Sequence, residues 1–172
     1  KIFEYFNSYT NCNVIGFDAK LTTPDKDNPN SDKNFFSQIK KIDKAVVGFA
    51  PLKSQYISAK DGKIYDKVFK NKFALNIMDQ RKAKYPSDYL SLAKFPPEYF
   101  KSVSKVGSVE TPTDFDGYIR TMTQAVDYKG TLYPSLALSI YSYLTNNGDY
   151  VASDKELKAI DTDLKIPTVS NI

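Results

Sequence analysis

SQYISAKDGKIYDKVFKNKFALNI, residues 54–77, is the run on which the reading of the fold turns. Asp61-Gly62 stands near its middle, and glycine enters the positive-φ backbone of a tight hairpin turn at little steric cost. Tyr65, Phe69, Phe73, Leu75 and Ile77 share odd parity, while the even positions are mostly polar. That is the period-2 pattern of a strand with one face on a core and one in water. The run predicts a hairpin over 54–60 and 63–69, inside a small antiparallel sheet of about three to five strands.

Upstream, residues 13–21 alternate at Phe17, Ala19 and Leu21 and predict a strand, while residues 2–9 fit either a helix or a strand. Residues 22–31 are polar with two prolines and predict an exposed loop. Beyond them Ser31 or Asp32 can cap a helix carrying Phe35, Ile39, Ile42 and Val46 inward and Lys40, Lys41 and Lys44 outward. Gly48 and Pro51 end that element.

Downstream, Ser87 and Asp88 open a short helix with Tyr89, Leu90, Leu92 and Ala93, which Pro96-Pro97 stops. Phe115, Ile119, Met122 and Val126 recur at helical spacing and predict a helix over 112–127. Residues 131–134 read as a loop. Pro134 then opens a helix to Leu144 with Leu136, Ala137, Ile140 and Leu144 inward, and Asn146-Asn147-Gly148 stops it. Ser153 with Glu156 is a capping box for a last helix bearing Leu157, Ile160 and Leu164, ended by Pro167 before a mobile tail. The sum is an α+β fold: a small antiparallel sheet from the N-terminal half packed on helices mainly from the C-terminal half. Residues 1–172 form one domain, because 22–31 and 103–112 are long enough only for loops.

Composition narrows the function. Of 172 residues 41% are apolar, enough for a core without a metal or disulfide staple. Histidine is absent, which excludes an intrachain Ser-His-Asp or Cys-His pair, a histidine metal site and an imidazole switch. The single cysteine, Cys12, has no intrachain partner and no neighbouring cation in sequence to activate it. No phosphate-binding glycine loop, C-x-x-C or G-x-S-x-G motif is present, and no cofactor or metal is called for. Asn146, Asn147, Asp149 and Asp154 do not keep EF-hand spacing. No apolar stretch approaches the ~20 residues of a transmembrane helix. Beginning at Lys1 rather than methionine, the chain reads as either a processed or a trimmed form, and a secreted or cell-surface location is the expectation it leaves open.

Charge is uneven: residues 1–60 carry nine lysines against six acids, 61–105 ten basic groups against five acids, and 106–172 five against nine. Only two arginines occur and most lysines have an acid nearby, so the chain does not read as a nucleic-acid binder. The opposed ends permit self-association. Asp114 and Asp116, followed by Tyr118 and Arg120, form the best candidate catalytic group, a carboxylate pair for hydrolysis, although residues two apart on a regular helix face different ways. Tyr89, Tyr99, Phe100, Tyr141 and Tyr143 are the candidate binding aromatics, since rigid rings offer large contact area. The preferred reading is a noncatalytic module that binds a protein or small molecule. A hydrolase using the carboxylate pair and a self-associating structural subunit are the alternatives.

Overall fold

A computed structural model describes residues 2–9, 11–19, 24–53, 59–81, 85, 87, 89–91, 100–111, 113–153 and 156–167. Along the chain run α1 (Ile2–Tyr9), β1 (Ile15–Phe17), α2 (Pro29–Ile39), β2 (Ala45–Phe49), α3 (Ala59–Phe73), β3 (Asn76–Arg81), β4 (Lys105–Ser108), β5 (Ala125–Tyr128), β6 (Thr131–Pro134), α4 (Leu136–Thr145), β7 (Asp149–Ser153), β8 (Glu156–Ala159) and β9 (Lys165–Pro167). The α+β class expected from the sequence is the class adopted. Among the described residues its strands form three sheets spread along the chain rather than one in the first half.

The first sheet is parallel, in the order β1-β2-β4. Every residue of β2 is buried, as a central parallel strand requires, and its AVVGF run is continuously apolar. This corrects the expected extension of the preceding helix to Val46. Helix α2 stops at Ile39, the turn that follows buries Ile42, and Val46 pairs with Gly16 and Lys105. The helix also starts earlier than Ser31, because Pro29 suits its first turn. Asp25 closes that end by accepting from Asn28 N at 2.9 Å and from Ser31 Oγ at 2.6 Å.

The expected hairpin over 54–69 is overturned: residues 59–73 are helical, and residues 54–58 lie outside the described residues. Phe69 and Phe73, four apart, are buried by the helix as they would have been by a strand. The expected helix over 112–127 is also overturned. Gly117 adopts φ +83°, a turn closes from Gly117 N to Asp114 O at 2.9 Å, and Val126 lies in β5. Strands β5 and β6 pair antiparallel across Lys129 and Gly130, both at positive φ, so residues 131–134 are a strand rather than a loop.

The last expected helix is a meander. Ser153 Oγ accepts from Glu156 N at 3.0 Å and donates to Glu156 O at 3.1 Å, so the capping-box pair joins the end of β7 to the start of β8. Strands β7, β8 and β9 then pair antiparallel, with β3 alongside β7 in parallel. Where the short helix at 87–93 was expected, Leu90 and Ser91 bridge to Leu52 instead.

Two apolar clusters result. One joins α2, α3, the first sheet and the β5–β6 hairpin; the other lies between α4 and the β7–β8 pair, with Leu138, Tyr150 and Leu157 fully buried at its centre. Helix α4 is capped by Ser135 Oγ, which accepts from Leu138 N at 3.1 Å, and ends on Asn146 at φ 51°. Its inward face is Leu138, Ser139 and Ser142; the expected stripe is corrected, with Ala137 and Leu144 exposed. Small side chains face inward because the helix runs very close to the first sheet. A Cβ on Gly107 would stand 2.6 Å from Leu136 N and Ser135 O, and one on Gly16 2.7 Å from Ile140 Cδ1.

Candidate functional site

Asp114, Asp116, Tyr118 and Arg120 do come together, on the long connection between β4 and β5. The 114–117 turn is closed a second time by Asp114 N donating to Tyr118 O at 2.8 Å, which brings Arg120 back over both carboxylates. Arg120 Nη1 reaches Asp114 Oδ2 and Asp116 Oδ1 at 2.8 Å, and Nη2 reaches Asp116 Oδ2 at 2.7 Å. The hydrogen bonds from Arg120 hold the Asp116 carboxyl below the usual carboxylate range, and the same contacts raise the guanidinium. Arg120 Cζ also lies 5.4 Å from the centre of the Tyr118 ring.

This group stands on open surface. Around it Phe115 is fully exposed, and Tyr118, Ile119 and Met122 also point mainly into solvent. The residues that mimicked a buried helical stripe are thus an apolar surface, on a loop folded by its own ion pairs. Chemically, both carboxylates are committed to one guanidinium, and the arrangement suits display of side chains more than proton transfer to a substrate.

The candidate binding aromatics are dispersed. Phe100 is fully buried and Tyr89 nearly so, both in the larger core cluster, and Tyr99 lies outside the described residues. The Tyr141 hydroxyl donates to Thr162 Oγ1 at 2.8 Å, tying α4 to the β8–β9 turn. Tyr143 is partly exposed on the same helix, its hydroxyl raised by burial and by the Asp43 charge. Asn147 and Asp149 serve the turn before β7: Asn147 Oδ1 accepts from Asp149 N at 3.0 Å, and Asp149 Oδ1 from Asn76 Nδ2 at 2.6 Å. Among the described residues no group of three or more Asp, Glu, Cys or His side chains is placed to hold a metal, and no helix is long and apolar enough to cross a membrane. Cys12 Sγ donates to Val14 O at 3.2 Å.

Sequence reasoning missed a small pocket of about 70 Å³ at the seam between the two clusters. The end of α3 supplies Lys72 and Phe73, β4 supplies Lys105 and Val106, and α4 supplies Ser139 and Ser142. Among the described residues no carboxylate lines it. Lys72 Nζ donates to Lys101 O at 2.8 Å, and partial burial lowers its pKa. The signal in the sequence was LALSIYSYL, where two serines three apart share one face of an otherwise apolar helix.

Residues 4–171 match the family model described as the CHASE2 domain. No curated protein and no solved structure matches the chain.

Proposed function

The chain belongs to the CHASE2 domain family, extracellular sensory modules of membrane receptors, and from that premise we propose that it is a noncatalytic recognition domain that meets a protein partner outside the cell through residues 113–124. The observation that carries this reading is the outward display of Phe115, Tyr118, Ile119 and Met122 on one short loop. Contiguous apolar surface in water is costly to expose without a use, and aromatic and Met side chains beside an Arg are the composition of interface cores. The Asp114–Arg120–Asp116 group supports it by pre-forming the loop, which reduces the entropy lost when a partner binds.

A photoreactive amino acid placed at 115 or 122 in the cell-displayed protein tests the proposal. A discrete cross-link to another protein is expected at both positions and not at the exposed control position 41. A cross-link to a second copy would move the assignment to self-association. Labelling no stronger than at 41 would remove the loop as a recognition surface.

A further inference from the structure

We propose that the seam pocket between α3, β4 and α4 is a binding site for a small carboxylate anion, held by Lys72, Lys105 and the hydroxyls of Ser139 and Ser142. Lys72 and Lys105 line one pocket, no acid stands among its described lining residues, and Lys105 has no carboxylate partner among the described residues. An anion placed there would meet two cationic side chains and no competing carboxylate.

The hydroxyls supply the second, independent observation. Ser139 is only 3% exposed, lines the pocket, and its Oγ has no hydrogen-bond partner among the described residues. The hydroxyl opens on the pocket rather than on another protein group, so it is available to donate to an acceptor bound there. Ser142 Oγ shares a proton with the Tyr150 hydroxyl, which fixes its position at the pocket wall. Asn147, which precedes the lining residue Gly148, buries its Nδ2 without a partner close by in sequence.

Size and lining choose the class of anion. A water needs on the order of 10–15 Å³ of such space, so about 70 Å³ holds several waters or one small ion. Phe73, Val106 and Pro134 add apolar lining to the donors, which suits the methyl end of a short carboxylate better than a phosphate hydrated on all sides. Lysines act as point charges and do not demand the bidentate geometry that arginine would impose. This proposal does not depend on the 113–124 loop, which contributes nothing to the pocket.

Titration of the chain with sodium acetate at low chloride, followed by amide chemical shifts and calorimetry, tests it. Saturable one-to-one binding is expected, with shifts centred on Lys105, Ser139 and Ser142. Lys105→Gln should weaken binding at least about 10-fold and Ser139→Ala several-fold, whereas Lys41→Gln on the remote turn should leave it unchanged. Circular dichroism of each variant separates lost binding from lost folding, and Lys72→Gln gives a second charge-removing variant. Absence of saturation at tens of millimolar acetate, equal affinity in the Lys105 and Lys41 variants, or saturable binding of inorganic phosphate without acetate would each overturn the assignment. Cross-linking at 115 and 122 would be untouched by any of these, so failure here and failure of the loop reading are separable.

Discussion

The rings of Phe69 and Phe100 meet at a centroid distance of 4.9 Å and an angle of 55°. Phe69 also faces Phe49 at 5.5 Å, Phe73 at 5.2 Å and Tyr133 at 6.2 Å, so this one ring joins α3, the first sheet and the β5–β6 hairpin. In a chain without tryptophan, interlocked phenylalanines fill the interior volume.

Phe69→Ala is expected to destabilise the fold by about 3–5 kcal/mol, the range for deleting a fully buried aromatic ring. Phe69→Leu, which refills part of the space, should cost less than half of that. Urea denaturation of both variants checks the order; an Ala variant within 1 kcal/mol of the parent, roughly the level of a surface change, would place the core elsewhere.

The same residue shows why the sequence was only partly legible. Phe69 and Phe73 are two alternations apart on a strand and also one step of four on a helix, so the 54–77 run satisfied both periods, and Asp61-Gly62 tipped the reading toward a hairpin. Tertiary packing overrode the roughly 1 kcal/mol that a glycine costs inside a helix. At Phe115, Ile119 and Met122 the error ran the other way: helical spacing implied a buried stripe, yet those side chains are exposed. Ser153 and Glu156 carry a capping pattern whose local hydrogen bonds join two strands equally well. The α+β class, β1, the presence of α2 and the approximate span of α4 were readable because composition agrees there with the tertiary structure and Asn146 ends α4 as expected, whereas Ser31 and Asp32 lie inside α2 and Pro134 lies in β6. The seam pocket was not, since its donors come from α3, β4 and α4 and meet only through the topology.

Gly107→Ala is expected to be far more damaging than a surface Gly→Ala change. The new methyl would meet the backbone of Ser135 and Leu136, which cannot rotate away, so α4 must lift from β4. A loss of about 1–3 kcal/mol or more is expected. Gly130→Ala, with open space around it, should show only the strain of φ +76°. Thermal melts of the pair decide the point, and equal melting temperatures would contradict the close approach of helix and sheet.

Ser142→Ala leaves the Tyr150 hydroxyl buried without its partner, at an expected cost of about 1–3 kcal/mol. Adding Tyr150→Phe removes the orphaned group, so the double variant should be less destabilised than the sum of the two single changes. Additive losses in chemical denaturation would mean that the two hydroxyls do not act as a pair.

Acid should open the 113–124 loop before it unfolds the chain. Asp116 has its folded pKa lowered by Arg120, so its contribution is present above the unfolded value and fades as pH falls through the folded one. Carboxyl chemical shifts should show Asp116 titrating below ordinary aspartates, and Arg120→Gln should move it back toward about 3.9. An unchanged midpoint in that variant would deny the ion pair its role in shaping the loop.

Alkali tests the core from the opposite direction. Tyr128, Tyr133 and Tyr150 are buried, and in each desolvation is the main cause of a raised pKa, with the Asp66 charge adding to it at Tyr133. Burial disfavours the phenolate, so the folded chain keeps these protons where the unfolded chain gives them up. Their contribution to stability is therefore complete below the unfolded value of about 10 and is lost as pH rises toward the folded values. Phenolate absorbance from these three should rise only together with loss of secondary structure. If it rose while the chain remained folded, Tyr133 and Tyr150 would have to be reachable by water, and the seam between the two clusters would be wetter than the packing of α4 requires.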